Sequence, residues 1–379
     1  MKTFQTKFVD GQWLPPLPEQ HKADWVLVFG YREILNDELF RAKITIAFPG
    51  AKITGCSTSG NVLDDRLEEV TACITAVNFE HTSIQIASHN IADAESSEAL
   101  GEAVIAKLPH EKLRHVFVLA DGHLINGSDM VRAMCKQLPD NVFLSGGLAG
   151  DGTKFEETHL WNENHYGSGS AILVGFYGDA IRIGTGHFSG WKPFGPTKKI
   201  TKSVKNVLLE LDGEPALDVY ARYLGEFAEQ LPASALRFPL GLIHAISRER
   251  VVRTILSIDF EKKSMVFAGN VPEGATCQFM TAGYQGLVEA AREAALIANE
   301  SLQEESPQLA ILVSCVGRRL VLSHRTEQEL EAIREVLPTS CAVTGFYSYG
   351  EISSVICSDG RCGLLNQTLT ATFMAEHAE

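Results

Sequence analysis

Residues 115–122 read HVFVLADG and residues 138–152 read LPDNVFLSGGLAGDG, and together they give the clearest indication of the fold class. The first is an apolar run typical of a buried strand. A segment with helical character, residues 128–137, separates it from the second stretch, which begins as a strand and ends in glycines. Strands expected at residues 169–177 and 181–188 complete the unit. The order strand, helix, strand, glycine turn and β-hairpin predicts an α/β fold with mixed sheets.

A second copy of this order begins near the N-terminus, at the apolar run WVLVFG of residues 25–30. A helix is expected at residues 34–42, and the stretch FPGAKITGCSTSG at residues 48–60 is a strand that ends in a Gly/Ser turn. The β-rich segment 69–79 is predicted to pair with residues 82–88 as a hairpin.

A third copy ends the chain and begins at LAILVSC, residues 309–315. A helix is expected at residues 327–336, and LPTSCAVTGFYSYGE follows at residues 337–351. Strands at residues 352–357 and 363–373 close this copy.

A proline at the start of the second strand precedes a glycine corner in every copy, by six, seven and seven residues: Pro49 and Gly55, Pro139 and Gly146, Pro338 and Gly345. Proline in this place ends one element without breaking the next. We interpret the pattern as internal duplication. The alternative is that any α/β chain repeats proline, strand and glycine.

The length of 379 residues predicts two domains. The turn sequence at residues 212–215 favours a boundary there, with domains at 24–213 and 214–379. Residues 1–23, which include a Pro-rich patch, are expected to be a loosely held arm. The segment between the second and third copies has a different pattern, with helices expected at 217–230 and 280–302 and strands at 240–245, 251–259 and 264–268.

The composition excludes several classes of partner. A net charge of −14 argues against nucleic acid, because nucleic-acid-binding proteins present basic surfaces. The N-terminus has no secretory h-region and no apolar run is long enough for a membrane span. Eight scattered cysteines without a CxxC pair predict a cytoplasmic protein with reduced thiols.

The glycine corners match no established catalytic or phosphate-binding motif. Residues 55–60 have the glycine spacing of a P-loop without its Lys, and residues 146–152 lack the dinucleotide spacing. Ser57, Ser59 and Ser145 lie beside glycines outside any GxSxG motif. We therefore predict that the chain is not an enzyme. A hydrolase that uses Ser57 or Cys362 is the disfavoured alternative, because no base is evident to activate either side chain.

Metal ligands are harder to exclude. Cys357 and Cys362 form a CxxxxC turn, but no second pair has zinc-ribbon spacing. A non-covalent haem needs one axial side chain and an apolar slot. His187, His244, Tyr347 and Tyr349 are candidates, as are the two cysteines, and the alternative for each is a structural, hydrogen-bonded role.

The corner GFYSYGE at residues 345–351 is the most informative stretch. Three aromatic rings, a serine and a carboxylate at a tight turn could form the wall of a pocket for a small polar ligand. The alternative is an ordinary strand whose aromatic side chains lie in the core. We expect the three corners, near Gly55, Gly146 and Gly345, to meet around one cleft.

At these residues the chain resembles the FIST family of bacterial sensory proteins. The matching motifs are GCSTSG at 55–60, SGGLAGD at 145–151, GFYSYGEI at 345–352, and Cys362 followed by NQT at 366–368. The family usually has an acidic residue and a His before NQT, where this chain has Gly363, Leu364 and Leu365. With the corners, the resemblance predicts a set of ligand-binding residues: Gly55, Ser57, Ser59, Gly146, Gly147, Asp151, Phe346, Tyr347, Tyr349, Glu351, Cys362 and Asn366.

The resemblance implies an N-terminal and a C-terminal FIST domain that sense a small molecule, with amino acids proposed as ligands. It also extends to the NosP group, which are haem-linked nitric oxide sensors that act on a histidine kinase. The leading expectation is thus a cytoplasmic sensor that binds haem b, or an iron–sulfur cluster instead, and regulates a separate histidine kinase or other signalling protein. The alternative is a haem-free sensor of an amino acid or similar polar ligand, and a homo-oligomer is compatible with either.

Overall fold

The computed structural model describes residues 1–231, 233–243, 250–302, 305–357 and 360–377. Three repeated units and one inserted region account for its elements. Unit 1 consists of β1 (Lys2–Val9), β2 (Gln12–Leu14), β3 (Trp25–Gly30), α1 (Arg32–Leu35), α2 (Glu38–Ala47), β4 (Lys52–Ser57), β5 (Asn61–Leu63), β6 (Arg66–Glu68) and β7 (Ala72–Asn78). Unit 2 consists of β8 (Ser83–Asn90), α3 (Ser97–Ile105), β9 (Leu113–Ala120), α4 (Gly127–Gln137), β10 (Phe143–Leu148), β11 (Leu160–Asn162), β12 (His165–Gly167) and β13 (Ser170–Tyr177).

Unit 3 begins with β14 (Ile181–Phe188) and is then interrupted by the inserted region. That region contains β15 (Lys192–Val204), β16 (Val207–Leu211), β17 (Glu214–Pro215), α5 (Ala216–Leu224), β18 (Leu240–Ile243), β19 (Arg250–Arg253), β20 (Ile255–Asp259), β21 (Ser264–Phe267) and β22 (Thr276–Thr281). Unit 3 resumes with α6 (Tyr284–Ser301), β23 (Leu309–Cys315), α7 (Val316–Leu322), α8 (Thr326–Arg334), β24 (Ala342–Ser348), β25 (Gly350–Cys357), β26 (Gly360–Leu365) and β27 (Leu369–Glu376).

Each unit is built around one parallel strand pair with a helix in the crossover: β3 with β4, β9 with β10, and β23 with β24. A closing strand, β7, β13 or β27, lies antiparallel to the first strand of the pair. The opening strand of the unit, β1, β8 or β14, then lies antiparallel to the closing strand. This repetition confirms the predicted mixed α/β fold with repeated units.

The hairpin that follows each pair leaves its own unit. Strands β5 and β6 extend the sheet of unit 3 beside β24, β11 and β12 extend the sheet of unit 1 beside β4, and β25 and β26 extend the sheet of unit 2 beside β10. The exchange closes a cycle around the three units. The sheets of units 2 and 3 therefore contain strands from both sides of the expected boundary near residue 213.

One glycine in the second strand of each pair explains how closely the paired strands pack. A Cβ atom on Gly55 would lie 2.5 Å from the Val28 carbonyl oxygen. On Gly146 and Gly345 it would lie 2.0 Å from the equivalent carbonyl oxygens of β9 and β23. Because contacts this short are sterically forbidden, any other residue would force the parallel strands apart.

The sheets of the three units share one hydrophobic core. Phe29 from unit 1 lies 4.6 Å, ring centroid to ring centroid, from Phe346 of unit 3, and Phe117 of unit 2 packs in the same cluster. The inserted region has its own core around Phe279 and Tyr220. Its eight strands, β15 to β22, form a separate sheet.

Three predictions about pairing are wrong. The strands expected at 169–177 and 181–188 do not complete unit 2 as a hairpin, because β13 pairs with β8 and β9, whereas β14 pairs with β27 in the sheet of unit 3. Residues 1–23 do not begin as a loose arm, because β1 pairs with β7 along Lys2 to Phe8. The alternation of Phe4, Thr6 and Phe8 is the strand signal that the Pro-rich patch obscured. Residues 69–79 and 82–88 do not form a hairpin: β7 pairs with β1 and β3, whereas β8 crosses into the next sheet and pairs with β13.

Several element bounds also differ from the predictions. The helix expected at 34–42 is two helices, α1 and α2, and residues 276–281 form β22, so that α6 begins only at Tyr284. Residues 216–224 are α-helical and residues 225–230 continue as a 3₁₀ helix. The strand expected at 240–245 is described only to residue 243. No described helix combines the length and apolar character that crossing a bilayer requires.

Candidate ligand-binding site

The three glycine corners meet in a ring of backbone hydrogen bonds, which we call the corner ring. In each corner one amide N–H donates to a carbonyl oxygen of the next unit in the cycle: Ser59 to Tyr347 at 2.8 Å, Gly150 to Ser57 at 2.9 Å, and Tyr349 to Leu148 at 3.2 Å. The donors occupy equivalent places, four residues after Gly55, Gly146 and Gly345. The expected convergence of the three corners is therefore present in the structure.

A polar node supports the corner ring in unit 1. The Thr58 hydroxyl donates to the Asn61 side-chain oxygen at 2.6 Å. The Asn61 amide nitrogen donates to the Thr71 carbonyl and hydroxyl oxygens at 3.0 and 3.1 Å. All three residues are buried, so these bonds supply partners that water cannot.

An equivalent node in unit 3 contains a carboxyl group instead of an amide. The Ser348 hydroxyl donates to Glu351 at 2.7 Å, and the Thr368 backbone N–H and hydroxyl donate to its other oxygen at 3.1 and 2.8 Å. Glu351 is fully buried, and this loss of solvation raises its pKa to about 7 against the lowering effect of the three donors. Glu351 is thus a buried group that titrates near neutral pH.

A cavity of about 820 Å³ lies beside the corner ring. Its walls come from residues 31–34 in and before α1, from residues 151–154, from α7, and from six further residues: Thr58, Leu67, Glu69, Val70, and Ser323 and His324 before α8. Thr326 and Glu327 at the start of α8 complete the lining. It therefore opens at the carboxyl ends of β3 and β23. This is where α/β sheets generally bind ligands, because connecting loops leave a crevice there.

Side chains of both charges line this cavity. Arg32 projects from the start of α1, donates to the Glu157 carbonyl oxygen at 3.1 Å and lies 3.9 Å from an Asp151 carboxylate oxygen. Arg319 of α7 donates to the Ser59 carbonyl oxygen and to Glu69. Both guanidinium groups are mostly buried and held in place, so they are preorganised to meet an anionic group.

The acidic side of the cavity is equally well defined. Burial opposes ionisation of Asp151, but donors from Tyr349 and from the backbone of Glu156 and Glu157 outweigh it and lower the pKa of Asp151. The hydrogen bond from Lys154 likewise lowers the pKa of Glu33. Glu69 and Glu327 complete the acidic lining.

Of the twelve predicted ligand-binding residues, Asp151 lines this cavity. The side chains of Ser57 and Ser59 are buried and bonded to the backbone of His159 and Gly152. The others are buried in strands or hydrogen-bonded inside the protein: Gly55, Gly146, Gly147, Phe346, Tyr347, Tyr349, Glu351, Cys362 and Asn366. Ligand contact by these side chains stays a prediction, whereas their role in building the corner ring is visible.

The aromatic corner lies in the interior, as the alternative interpretation expected. Phe346 packs in the central core, and the Tyr347 hydroxyl donates to Glu329 at 2.7 Å. Tyr349 stacks on Phe155 with ring centroids 4.7 Å apart and donates to Asp151. Tyr349 thus connects the aromatic corner to Asp151 in the cavity wall.

The candidate metal and haem ligands do not form a common site among the described residues. His187 is half-buried with its Nδ1 atom 3.3 Å from the Ser353 hydroxyl, and the Cys362 sulfur accepts the Leu144 N–H at 3.3 Å. Tyr347 and Tyr349 are occupied as described above. Within the described part of the chain, no three His, Cys, Asp or Glu side chains are grouped to hold a metal. His244 and the Cys357 side chain lie outside the described residues.

A serine–histidine pair that the sequence did not reveal lies in unit 2. The His115 Nε2 and Ser145 Oγ atoms are 2.7 Å apart, and burial lowers the pKa of His115 to about 3. Both residues are almost completely buried, so no substrate can reach them. The pair is a structural hydrogen bond between β9 and β10.

The cavity residues that were not predicted from the sequence follow the first strand of the parallel pair in units 1 and 3. Arg32 lies two residues after β3, and Arg319 lies four residues after β23. The signal that could have found them is the general rule that ligands bind beyond the carboxyl ends of parallel strands.

Comparison with known protein families agrees with this architecture. The FIST N domain model matches residues 24–214, about half of the chain, and the FIST C domain model matches residues 216–354. The chain therefore belongs to the FIST family. FIST domains are associated with the sensing of small ligands in signal transduction. A search of curated proteins finds no match.

Proposed function

We propose that this protein is a cytoplasmic sensor that binds an amino acid or a similar small zwitterion in the cavity beside the corner ring. The observation that carries the proposal is a cavity with fixed guanidinium groups and fixed carboxylates on its walls. Membership of a sensory family supports the general class. The seven described cysteines are free thiols, which is consistent with a reducing compartment.

The charge pattern favours a ligand with two opposite charges over an anion or a cation alone. Arg32 and Arg319 suit a carboxylate, which accepts paired N–H donors. Asp151 and Glu69 suit an ammonium group. Arg319 already pairs with Glu69, and Arg32 lies 3.9 Å from Asp151, so a ligand with one charge would take one member of such a pair and leave the other without a counter-charge, which lowers affinity.

The cavity is connected to all three units, which suits a sensor. Arg319 lines it and bonds to the Ser59 carbonyl in the corner ring, while Asp151 bonds to Tyr349. A ligand that binds one arrangement of these groups more tightly would shift the equilibrium between conformations of the whole molecule. We propose that this shift regulates a separate histidine kinase or another signalling protein, without catalysis by this chain.

Haem-based sensing of nitric oxide is the second candidate, and the residues lining this cavity do not fit it. A haem slot needs apolar walls and an axial side chain. The cavity walls carry Arg32, Lys154, Arg319 and several carboxylates, and the described candidate ligands are engaged elsewhere. An iron–sulfur cluster meets the same difficulty, because the described cysteines are dispersed and buried.

Binding by the purified full chain tests the proposal. We expect one or a few amino acids to raise the melting temperature, because a hundredfold excess of ligand over Kd adds about 2.7 kcal/mol to the free energy of unfolding. Isothermal calorimetry with Arg32→Ala should show an affinity at least about tenfold lower, because a charge-assisted hydrogen bond is lost. Arg222→Ala, which removes an exposed arginine paired with Glu214 in the inserted region, is the matched control and should bind as the wild type does.

The proposal fails if no amino acid or related zwitterion binds, or if Arg32→Ala binds equally well. Protein purified from haem-supplemented cells should show no Soret band. A stoichiometric Soret band that responds to nitric oxide would favour the haem candidate.

A further inference from the structure

Units 2 and 3 each place a helix on the crossover helix, between the opening strand and the parallel pair. In unit 2, α3 packs so closely on α4 that a Cβ atom on Gly101 would lie 2.5 Å from the Met130 carbonyl oxygen. In unit 3, α6 packs on α8, where Arg292 forms an ion pair of 3.0 Å with Glu335. These two helix pairs occupy equivalent places in the repeat.

Unit 1 lacks the second helix of this pair. Residues 10–24, between β1 and β3, form β2 and an extended Pro-rich segment instead of a helix. The crossover helix α2 consequently exposes apolar side chains: Leu39 is 72% and Ile46 is 68% accessible to solvent. Leu39, Lys43 and Ile46 follow the spacing i, i+4, i+7 and form one stripe on the helix surface.

A groove of about 540 Å³ runs between this stripe and the Pro-rich segment. Trp13, Pro16 and Leu17 form one wall, and Lys43 and Ile46 form the other. Lys43 makes no ion pair with any residue in the described part of the chain. At the equivalent helix pair of unit 2, Lys136 of α4 meets Glu98 of α3 at 3.3 Å. In unit 2, a lysine of the crossover helix thus meets a carboxylate of the helix that packs on it.

We propose that the groove beside α2 is a docking surface for one amphipathic helix of a partner protein. The helix would lay an apolar stripe along Leu39 and Ile46 and bring an acidic side chain to Lys43, beside Trp13 and Leu17, which already pack on α2. The docking surface stands on the repeat alone. Its role as the output of ligand sensing rests on the proposed function.

The connection to the cavity is short. Arg32 lines the cavity and begins α1, and Arg41 of α2 donates to the Leu35 carbonyl oxygen at the end of α1. The cavity and the groove therefore lie at opposite ends of the stretch that α1 and α2 form, residues 32–47. A partner at the groove would be sensitive to the position of α1.

A photo-cross-linking residue, p-benzoylphenylalanine, at position 46 of the full chain tests the proposal in cells of its own host. Position 204, which is 63% exposed on β15, is the matched control. We expect one protein to cross-link at position 46 and not at 204, through a peptide of an amphipathic helix that carries an acidic residue. The purified partner should then bind Ile46→Asp at least about tenfold more weakly than wild type, and Val204→Asp equally well.

Four outcomes would overturn the proposal: no cross-link above the control, a cross-link only to a second copy of this chain, a cross-link to a non-helical segment, or unchanged affinity of Ile46→Asp. An unchanged melting temperature should show that Ile46→Asp is folded, since the side chain is exposed. Repeating the cross-link with Arg32→Ala separates the two proposals. If the cross-link persists in Arg32→Ala and no ligand binds in the cavity, the docking surface is supported and the proposed sensing is contradicted.

Discussion

The corners of unit 1 and unit 3 solve the same structural problem with different chemistry. Thr58, Asn61 and Thr71 in unit 1 correspond to Ser348, Glu351 and Thr368 in unit 3. Both sets are buried, and both hold a corner onto the strand that closes the unit. The amide of Asn61 is neutral at every pH. The carboxyl group of Glu351 can ionise, and burial raises its pKa to about 7.

The three units thus preserve the backbone geometry of the corner, whereas the polar side chains that support it differ between units. An amide donates and accepts, so Asn61 satisfies a hydroxyl and a carbonyl together. The three donors around Glu351 favour its ionised form, which only accepts, while burial favours the protonated form and has the larger effect. Unit 3 therefore has a pH-sensitive node where unit 1 has none.

The largest loss of stability is expected at Gly55 and Gly345, the glycines on which the two corners depend. Gly345→Ala would place a Cβ atom 2.0 Å from the Leu312 carbonyl oxygen, against 2.5 Å for Gly55→Ala and the Val28 oxygen. We expect each change to reduce the free energy of unfolding by more than about 4 kcal/mol, with Gly345→Ala the more severe. Urea unfolding followed by circular dichroism measures the loss.

Gly283→Ala is the control for these glycines, because nothing lies within 4 Å of its Cβ position and its φ is negative. It should change stability by less than about 1 kcal/mol. A mild effect of Gly345→Ala would show that the strand pair can separate, contrary to the packing described above.

The second test concerns the pH dependence of the two nodes. The folded pKa of Glu351, about 7, lies above its unfolded value, so the native state holds a proton that the unfolded state releases. The stability from this group is fully present below about pH 4.5 and is lost as pH rises through 7. Glu351→Gln should remove this loss and gain up to about 3 kcal/mol relative to wild type between pH 4.5 and pH 8.

Asn61→Asp is the reciprocal change in unit 1. It should become increasingly destabilising as pH rises, because a buried carboxylate would then face the Thr71 carbonyl oxygen. Unfolding free energies at four or five pH values give both profiles, and exposed Glu102→Gln is the control. Parallel profiles for Glu351→Gln and wild type would contradict a proton on Glu351.

The smallest effects are expected at the two side chains that tie units 1 and 3 to the corner of unit 2. Tyr349→Phe removes the donor to the Asp151 carboxylate and should cost about 1.5–3 kcal/mol. Ser59→Ala removes a neutral acceptor of the Gly152 N–H at 3.1 Å and should cost about 1 kcal/mol. Thermal unfolding ranks the two. The reverse order would show that Asp151 is held mainly by its backbone donors.

Much of the fold could be predicted from local sequence. The apolar runs at 25–30, 115–122 and 309–315 form the first strand of each parallel pair, β3, β9 and β23. The corners near Gly55, Gly146 and Gly345 do meet. The predicted hairpin at 69–88 is wrong because β7 and β8, which follow each other in sequence, lie in different sheets.

The candidate site was harder to predict than the fold. Asp151 was expected and lines the cavity, whereas Arg32 and Arg319 were not recognised. Each lies in a short helix with no motif around it. Their proximity depends on how units 1 and 3 pack, and a charged residue near a strand end is common in any α/β protein.

From the sequence alone, the element types, the threefold repetition and the glycines needed for closely paired strands could be predicted. Periodicity and backbone sterics act over only a few residues, so local sequence is sufficient. The cyclic exchange of hairpins, the charged cavity and the exposed face of α2 are visible only in the tertiary structure. These features depend on contacts between segments far apart in the chain. The exchange pairs β5 with β24, for example, across more than two hundred residues.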